Sequence, residues 1–142
     1  MMISTKGRYA LRLLIDIAEN QGEGCVRLRD VAKRQQISEK YLEIIVRALV
    51  QSGCLVGVRG KGGGYRLSRA PEEYNIRRVL EAAEGALAPV ACVEEGQDCP
   101  RMGECPALPL WQGLDKVIGE YLDGFTLADL LPGKGKEGLA HV

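Results

Sequence analysis

The sequence predicts a mainly α-helical protein that carries a small β-wing and ends in one long helix. Three observations predict it. Apolar residues recur at three- and four-residue spacing through several segments of the first 84 residues, the mark of helices with a buried face. Two short apolar-alternating runs, residues 54–59 and 65–67, flank Gly60-Lys61-Gly62-Gly63-Gly64, which reads as two strands around a tight turn. From Leu110 onward, Trp111, Leu114, Val117, Ile118, Tyr121, Leu122 and Phe125 make a helix apolar over most of its inner half.

The first helix covers residues 5–19, with Tyr9, Ala10, Leu13, Leu14, Ile17 and Ala18 in its stripe. Leu11 and Ile15 widen that stripe, so the helix is buried on more than one side. Gln21-Gly22-Glu23-Gly24 breaks it, and a short helix over residues 29–34 turns Val31 and Ala32 inward. After Gln35-Gln36-Ile37, Ser38 is a good N-cap for a third helix that runs to about residue 52, where Gly53 stops it. Leu42, Ile45, Val46 and Leu49 form the buried face of this helix. Glu39, Lys40, Glu43 and Arg47 lie opposite, and as a merely solvated face they would include a Glu43–Arg47 ion pair at four-residue spacing.

Three helices, the last two joined by a tight turn, followed by two strands read as a winged helix-turn-helix domain over residues 1–84. Arg59 and Lys61 tip the wing, where small residues let the backbone come close to phosphates. The glycine run is not a nucleotide phosphate loop, because it lacks the G-x-x-x-x-G-K-[ST] spacing and no helix opens directly after it. A fourth helix over residues 77–83 packs Val79, Leu80 and Ala83, and Gly85 ends it. Residues 85–109 then form a cysteine-containing loop. Residues 110–131 hold the long helix and a short turn capped by Thr126, and residues 132–142 read as a flexible tail. The long helix offers more apolar surface than a small wing domain can bury, so its own copy in a homodimer is the expected cover, with packing onto its own chain as the alternative.

Composition narrows the function classes. With 46% apolar and 27% charged residues in 142, the chain has the balance of a soluble globular protein. No apolar run approaches the roughly 20 residues of a membrane span. Lys6, Arg8, Arg12 and Asp16 interrupt any leader pattern, so the expected location is cytoplasmic, with no membrane partner. Net charge is zero, yet residues 1–70 hold 13 Lys/Arg against 6 Asp/Glu, a net of +7, and residues 71–142 hold 6 against 13, a net of −7. A basic half of that kind suits a polyanion such as double-stranded DNA.

Cys92, Cys99 and Cys105 lie in the polar loop with six and five residues between them. In a reducing compartment such thiols are better explained by iron–sulfur or zinc ligation than by disulfides. Three ligands are visible where such sites usually use four. Nearby Asp98, Glu94, Glu95 and Glu104, a solvent molecule, a residue of a second subunit and the single histidine, His141, are the candidates for the fourth. Cys25 and Cys54 read as small apolar core residues.

These pieces together resemble the IscR/NsrR-type winged-helix transcription regulators of bacteria. The resemblance is carried by Ser4-Thr5-Lys6-Gly7-Arg8-Tyr9-Ala10, Ile37-Ser38, Tyr41-Leu42-Glu43, Val58-Arg59-Gly60, Gly62-Gly63-Gly64-Tyr65, the cysteine triplet and Leu110-Trp111. It covers residues 1 to about 131. It implies a non-enzymatic, homodimeric regulator whose recognition helices enter successive major grooves of a pseudo-palindromic operator, with wings at the flanking minor grooves. It points to Ser38, Lys40 and Glu43 near base edges and Arg59 in the minor groove; Glu39 and Tyr41 of the same helix and Lys61 of the wing tip join them as expected DNA-binding residues. Lys40 replaces a small polar residue, so the operator need not match that of the relatives.

The same resemblance implies an iron–sulfur cluster on Cys92, Cys99 and Cys105, with 2Fe-2S preferred to 4Fe-4S. The histidine that IscR-like members place three residues past the last cysteine is here Leu108, and the aspartate of the nitric-oxide sensing branch aligns with Arg8. Neither can coordinate iron. The expected function is therefore a regulator sensing iron–sulfur status or redox and nitrosative stress. The alternative is a metal-free, zinc or thiol-switch regulator of cysteine or sulfur metabolism. A small iron–sulfur redox protein ranks behind both, since it leaves the basic half and the wing unexplained.

Overall fold

The computed structural model describes residues 3–97 and 99–133. The ligand candidates Asp98 and His141 lie outside these residues, as does the expected tail apart from Pro132 and Gly133. Five α-helices and one antiparallel strand pair make up the described chain. In order they are α1 (Thr5–Asn20), α2 (Leu28–Gln35), α3 (Glu39–Gln51), β1 (Leu55–Val58), β2 (Gly64–Leu67), α4 (Ile76–Glu84) and α5 (Leu108–Asp123).

One core unites α1 to α4 and both strands. Ala10, Leu13, Leu14 and Ile17 of α1 meet Val31 of α2, Leu42, Ile45 and Leu49 of α3, and Val79 and Leu80 of α4 there. Leu11 and Ile15 also pack against it, in keeping with an α1 buried on more than one side. The turn between α2 and α3 is tight because Gln36 takes the left-handed conformation, at φ 55° and ψ 47°. That bend drops Ile37 into the core and leaves Ser38 to start the next helix.

The strands pair with Leu55 opposite Leu67 and Val58 opposite Gly64. Val26, from the α1–α2 connection, adds a bridge on the far side, exchanging two 2.8 Å backbone hydrogen bonds with Tyr65. Gly64 has φ 144°, and a Cβ there would lie 2.4 Å from the Val26 carbonyl oxygen, so only glycine lets this third segment close on the wing.

Several boundaries differ from expectation for clear reasons. The α4 helix begins at Ile76, because Asn75 caps it by accepting from the Arg78 amide. The α5 helix begins at Leu108, since Pro109 in its first turn has no amide to leave unpaired. Near the C-terminus the Asp129 carboxylate accepts from the Thr126 amide and hydroxyl, so the cap is Asp129's rather than Thr126's. Leu127 beside it is fully buried in the core. Cys54 is buried in the core as expected, but Cys25 is only half-buried and is not part of that core.

Candidate nucleic-acid interface and cysteine loop

Ser38 fixes the start of α3: its hydroxyl accepts from the Tyr41 amide at 3.0 Å. The buried stripe Leu42, Ile45, Val46 and Leu49 then decides which way the helix faces. Glu39, Lys40, Glu43 and Arg47 are turned to solvent. Among the described residues no ion pair joins Glu43 to Arg47, so these charges stand in solvent without each other as partners. Tyr41 is half-buried and edge-on to Tyr9, with ring centroids 5.8 Å apart. Its ring braces α3 on α1.

The wing brings Arg59 and Lys61 to an exposed tip beside β1 and β2. Neither has an acidic partner among the described residues, so both keep their donors for an outside anion. Tyr74, fully buried, anchors the wing from below. Its hydroxyl donates to the Cys54 carbonyl and accepts from the Ser68 amide at 2.9 Å, while the Arg69 guanidinium lies 4.4 Å above the ring.

Two anchors were not anticipated from the sequence, where Ser4 to Gly7 appeared only as part of a resemblance and Asp16 only as a charge. Glu84, at the end of α4, accepts from the Ser4 amide and hydroxyl and from the Gly7 amide at 2.7–2.8 Å. A carboxylate thus occupies the positive end of α1. Asp16 is almost fully buried and is gripped by Arg34 through Nε and Nη2, the shortest contact 2.7 Å, with Gln35 at 2.9 Å. The hydrogen bond to Asp16 raises the Arg34 pKa above its ordinary value. One signal was available for Asp16, a lone acid on the inner face of an apolar helix, which needs a partner.

The cysteine loop joins α4 to α5. Cys92 lies in the 3-10 turn Ala91–Val93, Cys99 opens a turn through its carbonyl to the Met102 amide at 3.0 Å, and Cys105 precedes α5 by one turn. All three are half-buried free thiols. Their donor chemistry suits iron or zinc, but as placed their geometry does not: among the described residues no three His, Cys, Asp or Glu side chains converge on a metal position. Glu94, Glu95 and Glu104 therefore complete no such set.

Beyond the loop, α5 docks lightly on α4. Arg77 pairs with Asp123 at 3.0 Å and with Glu81 at 3.1 Å, and its guanidinium lies against Gly119, where a Cβ would come within 2.9 Å. The Asp123 hydrogen bond raises the Arg77 pKa. The outer face of α5 is uncovered, with Leu110, Leu114, Val117 and Tyr121 exposed by 65%, 40%, 62% and 63%. Next to it an apolar groove of about 350 Å³ runs between Ile3, Leu11, Leu80, Tyr121 and Phe125. Among the described residues no helix is long and apolar enough to cross a membrane.

A helix-turn-helix with a wing, free cations at the wing tip and an outward polar face on the second helix of the motif define a DNA-binding transcription regulator. Residues 3–133 match the family described as "Rrf2: Iron-dependent Transcriptional regulator". The chain belongs to the Rrf2 family. It is 40% identical over 131 residues to protein rrf2 of Nitratidesulfovibrio vulgaris, covering 92% of this chain and 87% of that protein. Among solved structures it is similar to CymR (YrzC), the global cysteine regulator of B. subtilis, at TM-score 0.73 and 36% identity, covering 92% of this chain and 95% of that one. It is also similar to T. potens IscR, at TM-score 0.72 and 32% identity, covering 100% and 93%. The matching family is thus one of transcriptional regulators.

Proposed function

We propose that the protein binds a pseudo-palindromic operator as a homodimer and reports a signal received at its cysteine loop. The observation that carries the DNA half is the set of unpaired charges on one exposed helix face and the neighbouring wing tip: Lys40, Glu43, Arg47, Arg59 and Lys61. Lys40 donates to guanine acceptors or a phosphate, Glu43 accepts from a cytosine amino group, and Arg59 enters the minor groove. Ser38 and Glu39 lie at the helix start, where base edges are nearest, and Tyr41 holds the helix in place. The exposed α5 stripe and the adjoining apolar groove support a twofold interface between copies.

Cys92, Cys99 and Cys105 are assigned as ligands of an iron–sulfur cluster, 2Fe-2S in preference to 4Fe-4S. Three soft thiolates in one loop and the iron-dependent description of the family support that assignment. A second reading, a metal-free, zinc or thiol-switch regulator of cysteine or sulfur metabolism, is favoured by the unconverged thiols and by the likeness to a cysteine regulator. Anaerobic purification and cluster reconstitution, followed by visible absorption, iron analysis and promoter gel shifts, separate the two. Visible colour, bound iron and a DNA affinity that changes in Cys92→Ala, Cys99→Ala and Cys105→Ala are expected. A colourless, iron-free protein with unchanged affinity in all three variants contradicts the cluster assignment.

A further inference from the structure

We infer that Ile44 reads the C5-methyl group of a thymine in the operator, which makes it a specificity-determining residue beside Lys40 and Glu43. The inference rests on the operator-binding reading above.

Ile44 stands half out of the protein, 50% exposed, in the second turn of α3. It follows Lys40 by four residues and precedes Arg47 by three, so the helical repeat puts it on the same outward face. Half exposed, isoleucine there gains less from burial than a core residue does, and its β-branch makes it a poorer helix former than the lysine or glutamate around it. A lone exposed apolar residue is ordinary on a protein surface, but its distribution here is not even. Among the described residues up to Glu84, the exposed large apolar side chains are Ile44, Val50 and Val58, and all three lie on α3 or β1. The rest of the described domain surface is free of them.

Their settings differ. Val50 lines the cleft between α3 and the wing, together with Gly57 and Tyr65, whereas Ile44 is not part of that lining. One turn to either side of Ile44 stand the exposed charges of Lys40 and Arg47. Its other helical neighbours, Tyr41 and Ala48, are half-buried, so Ile44 is the exposed large apolar side chain of a charged face. A protein partner needs a continuous patch, of which this is too small a part. The major groove supplies the matching shape, since its base edges are polar except for the thymine methyl.

The test needs no prior operator. Duplexes are selected from a random pool with the full chain, and each thymine of the selected site is replaced in turn by deoxyuridine, which removes the methyl alone. At a thymine pair related by the site's symmetry, wild type is expected to lose about fourfold affinity per half-site, the worth of one buried methyl, while Ile44→Ala loses none. Equal losses in both proteins at every thymine, or no loss in either, overturn the inference and leave operator binding standing. Failure to enrich any duplex overturns both.

Discussion

Glu84 shows how one side chain gives meaning to a stretch of sequence. The run Ser4-Thr5-Lys6-Gly7 serves stability: it presents amides and a hydroxyl to a carboxylate from the other end of the domain. A Cβ at Gly7 would lie 2.5 Å from Glu84 Oε1. Gly7→Ala must push that carboxylate off its donors, and a loss of about 1–3 kcal/mol is expected from the urea midpoint. Asp16 is the second such residue. Arg34 stays 41% exposed on its side chain and can turn to water, so Asp16→Ala should cost about 2 kcal/mol, less than breaking a fully buried pair. Because the Arg34 pKa is raised, its contribution holds below the ordinary guanidinium value and fades only above it. From the arginine side, stability should therefore be flat across the neutral pH range, and a slope there that vanishes in Asp16→Ala would contradict this.

At the scale of elements, periodicity made the helices legible, because each buries one regular stripe. Ends were less legible where the choice of partner by one local side chain decides them, as Asn75 does for α4 and the Asp129 carboxylate does near Thr126. The wing was readable from its glycines, but the Val26 segment beside it was not, since a single bridge leaves no alternating pattern. The polar face of α3 could be read in outline. Whether Glu43 and Arg47 pair depends on rotamers that spacing does not determine. For α5, a charge on the outer stripe should separate protomers without unfolding them, since Val117 is 62% exposed. Val117→Glu is expected to shift the protein from dimer to monomer in sedimentation while its melting profile shows a folded chain. A dimer that persists would contradict the α5 interface.

Over the whole molecule, the cysteine loop links two parts with different tasks. On one side α4 is tied to α1 through Glu84, and on the other α5 touches α4 through Arg77 and Gly119. In the proposed dimer, a change of shape in the cysteine loop would act on the seat of α5, and so on the spacing of the two recognition helices. The thiols were visible in the sequence, but their failure to converge could not be foreseen, because loop geometry follows no period. The basic first half was legible from charge alone, and its unpaired wing cations agree with it.

The central claim, a dimer reading DNA through α3 and the wing, is tested most directly by operator affinity as a function of salt. The probe is a duplex spanning the protein's own promoter region, titrated with wild type and with Arg59→Ala. The account predicts two protomers per site and an affinity falling with salt at a log–log slope of about −0.9 per phosphate contact, with a weaker complex and a slope shallower by about one contact per protomer in the variant. One protomer per site, or a flat salt response shared by both proteins, would contradict it.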